Sequence, residues 1–207
     1  MRPLPRLLAF TNDRIAALAD LDARAAAIAA VGPAAALIAR RPAGTTDELA
    51  TLAQRLTAIA HAPMASVLIT GRADVALAVE AQGVILREGD LDVGDVRELA
   101  QEQLWCFRSV HSEVEADAAV AAGADALVVG TIWPTASHPE RTPSGPEMLA
   151  RIAARGVRCF AIGGVSPAHA REARDAGAWG VAAIRAVWDD VDPNRAALAL
   201  LEPWLDQ

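Results

Sequence analysis

The chain has 207 residues, a hydrophobic fraction of 53% and a formal net charge of −7, with two cysteines, five tryptophans and no tyrosine. The length suits one domain with one substantial core, and the acidic balance argues against a nucleic-acid or anionic-membrane partner, because no broad basic field would attract phosphate backbones. No stretch nears the ~18 consecutive apolar residues of a membrane span, and the opening "MRPLPRLLAF", broken by Pro3 and Pro5, is too short an apolar run for a signal peptide, so a cytoplasmic protein is expected.

The first apolar run is "LLAF" (7–10), and the second, "ALIAR" (36–40), follows a segment of helical periodicity. Beyond it "TTDE" sets Thr45 three residues before Glu48, the spacing of a capping box that opens a helix. His61 falls at that helix's C-terminus, where the dipole suits partial positive charge. The runs "SVLIT" (66–70) and "GVILR" (83–87) follow, then "WCFRSV" (105–110), and "SEVE" repeats the capping spacing at Ser112 and Glu115. Next come "ALVVGTI" (126–132) and "RCFAIGG" (158–164). "SPAH" then puts Pro167 at a favoured first helical position, and "GVAAIRAV" (180–187) is the last run. The segments "EAQGVILR", "AAGADALVVG" and "DAGAWGVAAI" each place a glycine between a helix end and the next run, where a left-handed residue is expected. Cys106 and Cys159 lie inside apolar runs and are expected to be buried free thiols. Asp22, Glu102 and Asp175 fall on helical segments as solvated acids.

Continuous apolar character marks strands covered on both faces. Eight such strands, each followed by a helix, predict a single (β/α)8 TIM barrel over 1–207 rather than an open sheet. Active sites of this fold lie at the C-terminal strand ends. His111 directly follows the fifth strand and so reaches the mouth; the alternative is a hydrogen-bonded cap at a helix start. Gly163 and Gly164, ending the seventh strand, let a phosphate approach the backbone, and the helix start at Ser166–Ala170 adds a positive dipole end. Arg185, after the eighth strand, adds a charge there or lies on the outer face. The four-histidine count leaves His169, read as exposed in its helix's first turns. No metalloprotease, nucleotide-loop or paired-cysteine motif is present in the sequence.

These segments resemble, in order and over nearly the whole chain, the thiamine phosphate synthase superfamily, and within it the TenI-type thiazole tautomerases. "LITGRADVALA" (68–78), "GVILREGDL" (83–91), "RSVHS", "VVGTIWPTASHPE", "AIGGVSP" and "AGAWGVAAIRAV" carry the likeness. The synthases read Asn-Asp-Arg where this chain has Thr70, Gly71 and Arg72, so a carboxylate that helps hold Mg2+ is missing and Asp90 alone keeps an acidic position. Their Arg-x-Lys matches Ala39, Arg40 and Arg41, keeping only the second basic position, and their loop lysine matches His138. The resemblance therefore implies a cofactor-independent aromatising tautomerase acting on a carboxythiazole phosphate. In it His111 is the acid/base, and Ser109 bonds the substrate or orients the ring. The implied binding set is Arg41, Arg72, Gly130, Thr135, Ser137, His138, Gly163, Gly164, Ala183, Ile184 and Arg185. Arg72 pairs with the substrate carboxylate or with Asp90. The 131–145 loop is expected to close over the mouth and exclude water, with Trp133 covering the heterocycle or packing. The alternatives are a Mg2+-dependent synthase using Asp90 and Arg41, a catalytically silent thiazole or thiamine phosphate binder, and another phosphosugar isomerase. The implied partner is a phosphorylated thiazole, with a homodimer possible.

Overall fold

Eight parallel strands close into a barrel in the computed structural model, which describes residues 3–60, 64–136 and 139–205. The strands are β1 (Leu7–Phe10), β2 (Ala35–Ala39), β3 (Ser66–Thr70), β4 (Gly83–Leu86), β5 (Trp105–Val110), β6 (Ala126–Gly130), β7 (Arg158–Ile162) and β8 (Gly180–Ala183). Each pairs with the next, and β8 returns to β1 through Leu7↔Val181 and its neighbours. The helices between them are α1 (Asp13–Ala16), α2 (Leu21–Ala29), α3 (Thr46–Ile59), α4 (Ala73–Ala78), α5 (Val93–Ala100), α6 (Glu113–Ala121), α7 (Gly145–Ala153) and α8 (Pro167–Asp175). After β8 come the short α9 (Arg185–Trp188) and α10 (Pro193–Leu201). The expected barrel is therefore the observed fold. His61 lies outside the described residues.

Strand parity explains the continuous apolar runs. Leu8, Ala36, Ile38, Leu68, Ile85, Phe107, Val128, Phe160 and Ala182 point into the barrel and form its filled interior. The alternate residues, among them Leu37, Val67, Cys106, Val129 and Ala161, pack outward beneath the helices. Phe107 and Phe160 stack across the interior at 5.5 Å between ring centroids. Both strand faces are thus dry, and neither leaves room for a polar alternation.

Three local expectations need correction. The last run does not stay extended: β8 stops at Ala183 and residues 185–188 turn into α9, with Val187 and Trp188 buried. An apolar run alone does not separate a strand from a buried helical turn. Gly123 and Gly177 take positive φ as expected (85° and 86°), but Gly83 begins β4 and the left-handed residue there is Glu80, with φ 56°. Gly83 is needed for packing instead, because a Cβ would sit 2.7 Å from the Trp105 carbonyl oxygen. The Thr45–Glu48 capping box forms in full. At α6 only half forms: Ser112 accepts from the Glu115 amide, while Glu115 Oε2 accepts from the amide of His111 at 2.9 Å, one residue earlier than a box requires.

Cys106 and Cys159 are free and buried. Burial is the main cause pushing their thiols up, to about 11 and about 12, so both stay protonated and unreactive near neutral pH. Asp22, Glu102 and Asp175 are exposed and face Arg55, Arg97 and Arg174. Such solvated pairs add little stability.

Candidate active site

The inward parity of the strands continues past their C-terminal ends and decides what faces the mouth. Asn12, Arg40, Thr70, Arg87, Ser109, His111, Gly130, Ile162 and Gly164 line a cleft of about 840 Å³ there, within the size range of small-molecule sites. Val128, Ile162 and Ala182 supply its apolar lining, with Phe107 and Phe160 fully buried beneath.

His111 is held at three points. Its amide donates to Glu115 Oε2, while Glu115 Oε1 accepts from Ser112 Oγ at 2.9 Å, so the start of α6 pins the backbone. Its ring Nδ1 bonds the Gly130 carbonyl oxygen across the β5–β6 seam. A carbonyl only accepts, so Nδ1 carries the proton in the neutral ring and Nε2 keeps the lone pair. Nη1 of Arg141, an arginine of the 131–145 loop, lies 3.1 Å from Nε2 and 3.2 Å from Nδ1, so its guanidinium sits over the imidazole. Ser109, two residues earlier on the same strand face, lies on the cleft wall beneath the imidazole.

On the far side of β6 the chain leaves β7 through Gly163 (φ 101°) and Gly164 (φ 65°). Both need to be glycine: a Cβ on Gly163 would lie 2.5 Å from Thr131 Cγ2, and one on Gly164 would lie 2.4 Å from the Pro134 carbonyl oxygen. His169 Nδ1 bonds the Gly164 carbonyl oxygen at 2.6 Å. The Trp133 ring stacks on His169 at 4.5 Å and donates Nε1 to Glu172 at 2.9 Å. Trp133 therefore packs behind the glycine turn instead of covering a ligand, and His169 is half-buried support, not a solvated side chain. Ala183, Ile184 and Arg185 face the glycine pair from the β8 side, where the start of α9 leaves backbone N–H groups unpaired within the helix. Gly164→Ala is expected to weaken binding of inorganic phosphate ten- to hundredfold, the equivalent of about 1–3 kcal/mol of local strain. Calorimetric titration reads this directly, and an unchanged Kd would detach the turn from phosphate binding.

The cations of the mouth differ from those expected. Arg41 points away from it and faces Asp13 at 3.5 Å and Glu48 at 3.6 Å. Arg40 lines the cleft in its place, because Ala36, Ile38 and Arg40 share the inward face. Burial first, and then the charge of Arg87, press the Arg40 guanidinium below its ordinary value. Arg72 also leaves the site: Gly71 at φ 76° turns the chain, and Arg72 bonds Asp74 at 2.9 Å and Thr46. Asp90 pairs with Arg87 rather than Arg72, accepting from its amide at 2.7 Å, its Nε at 3.0 Å and its Nη2 at 3.1 Å. Arg40 and Arg87 were legible in principle from strand parity; Arg141, in a loop, was not. Thr135 lines the cleft as expected, whereas Ser137 and His138 lie outside the described residues.

A divalent cation finds no adequate ligand set in this arrangement. Asp90 is committed to Arg87 through both oxygens, Gly71 offers no side chain, and the described residues hold no cluster of three or more His, Cys, Asp or Glu that would bind a metal. The Mg2+ of the synthase alternative does not fit these residues.

Comparison with known proteins puts this geometry in context. Residues 7–187 match the family model described as thiamine monophosphate synthase. A thiamine-phosphate synthase of Geobacillus kaustophilus is 37% identical over 154 residues, covering 73% of this chain and 69% of its own. One from a Mycobacterium species is 34% identical, covering 77% and 71%. Among solved structures, a thiamine phosphate pyrophosphorylase from Pyrococcus furiosus superposes with a TM-score of 0.82 at 30% identity, covering 96% and 94% of the two chains. A 3-hexulose-6-phosphate synthase, at 19% identity and a TM-score of 0.68, shares the fold.

Proposed function

The chain belongs to the thiamine monophosphate synthase family and so to thiamine biosynthesis, and from that premise we propose that it isomerises a phosphorylated thiazole to its aromatic form. The observation that carries this reading is the posture of His111, whose Nδ1 is tied to the Gly130 carbonyl while Nε2 remains the acceptor, in the same cleft as the Gly163–Gly164 turn. The substrate phosphate sits against the glycine turn and the α9 amides, which fixes the heterocycle between Ser109 and His111. Nε2 takes the ring-carbon proton as Arg141 swings aside toward the substrate's anionic group. The same nitrogen then returns a proton to the exocyclic carbon, so the step moves one proton and changes no oxidation state. The Gly130 carbonyl steadies the transient imidazolium by accepting its Nδ1–H.

A second reading is the condensation of a pyrimidine diphosphate with a thiazole phosphate. The names of the relatives favour it over the isomerisation, since they are thiamine-phosphate synthases, and the arginines at the mouth suit a diphosphate. The missing metal ligands weigh the other way, while a histidine after the fifth strand suits either reaction. Two incubations decide. The expected result is aromatisation of the carboxythiazole phosphate, followed by ultraviolet absorbance, with no pyrophosphate released from the synthase substrate pair, with or without Mg2+. Pyrophosphate release with no aromatisation would overturn the isomerase in favour of the synthase, and silence in both would leave a binding protein.

A further inference from the structure

We propose that the Arg87 guanidinium, clamped by Asp90 and flanked by Arg40, is a built-in cation that makes the β2–β4 side of the mouth a metal-independent site for a second anionic group of the ligand. The proposal rests on the cleft being the substrate site but not on which of the two reactions runs there.

The clamp comes first. Asp90 accepts from the Arg87 amide, Nε and Nη2, so both the backbone and the guanidinium plane of Arg87 are oriented by one carboxylate. Nη1 carries no part of that clamp and is left to bond a ligand oxygen. Space at the clamp is already taken: a Cβ on Gly71 would lie 2.8 Å from Arg87 Nη2 and 2.9 Å from each Asp90 oxygen. A side chain at position 71 would have to displace the ends of Arg87 and Asp90, and the volume in which a metal would need a second carboxylate holds a guanidinium.

Two neighbours show that this place is built for an anion. Arg40 and Arg87 line the same cleft, and burial first, then the charge of Arg87, disfavours the Arg40 guanidinium. Asp90 offsets part of the Arg87 charge, and an anion lying between the two guanidiniums would offset more of the positive charge gathered there. The Thr70 hydroxyl is the second. Its residue is 5% exposed, it lines the cleft, and it has no hydrogen-bond partner among the described residues. Ala39 pairs with Ile69, so Arg40 and Thr70 are register neighbours at the strand ends. An anion bridging Arg40 and Arg87 satisfies that hydroxyl as a donor. Guanidinium forks match carboxylate and phosphate oxygens two at a time. With the glycine turn on the opposite wall, the cleft selects ligands with an anionic group at each end.

The test uses inorganic pyrophosphate as the probe, titrated calorimetrically into the whole protein in EDTA and again with excess Mg2+. Binding in EDTA that Mg2+ does not tighten is expected, and Arg87→Met is expected to weaken it at least tenfold. Arg40→Gln serves as the second arm should the first variant lose its fold, which circular dichroism reports. Binding that requires Mg2+, or that survives both substitutions unchanged, overturns the proposal. His111→Gln should bind pyrophosphate like the parent protein, so a failure of the isomerase reading leaves a separate signature from a failure of this one.

Discussion

His111→Gln is expected to lower kcat for thiazole aromatisation by a factor of about 10² to 10⁴ while leaving the affinity for the phosphorylated ligand near its original value. Glutamine keeps a donor that can reach the Gly130 carbonyl oxygen, so the local posture survives. It has no group that takes and returns a proton near neutral pH. The phosphate contacts expected at Gly163–Gly164 lie beyond β6 and do not use the imidazole, so they are unaffected. Turnover and ligand affinity measured separately on the variant therefore split the two roles. A fall in affinity with kcat preserved would make His111 a binding residue only, and an unchanged kcat would remove it from the chemistry.

Phe160→Ala should cost about 3–5 kcal/mol of folding stability, a large part of the roughly 5–15 kcal/mol of a typical domain. Phe160 is fully buried, its ring stacks on Phe107, and it is paired in register with Val128 and Gly180. The strands around it are tied into a closed ring, so their backbones cannot collapse to fill the hole. That rigidity places the loss at the upper end of the range. Urea titration followed by tryptophan fluorescence measures it as a fall in the midpoint at constant slope. A loss under about 1 kcal/mol would mean that the interior layer repacks freely, which is incompatible with a rigid floor under Ser109 and Ile162.

Reading the sequence located the eight strands to within a residue or two at most ends, because burial of both faces writes itself into consecutive residues. The same local logic located His111, Ser109 and the glycine pair, since each follows directly from where a strand stops. The arginines were harder. Arg40 and Arg41 are adjacent in the chain, and only the inward phase shared with Ile38 tells which one enters the cleft. The family likeness had pointed to the other. Arg72 has the inward phase of Leu68 and Thr70, yet the positive φ of Gly71 carries it out to Asp74. Arg87 and Asp90 sit three residues apart, a spacing that in an irregular turn predicts no pairing. The end of β8 was missed because Val187 and Trp188 are as apolar as the strand before them.

The sequence by itself determined the barrel, the order of its strands and the presence of an imidazole and a glycine turn at its rim, because alternation of buried runs with capped helices is a property of neighbours along the chain. Only the tertiary structure decided which guanidiniums line the mouth, that Asp90 pairs with Arg87, and that Arg141 lies over the His111 ring. Those contacts join residues on different strands and loops, so they depend on register, strand tilt and the angle of single turns, quantities set by closure of the whole ring.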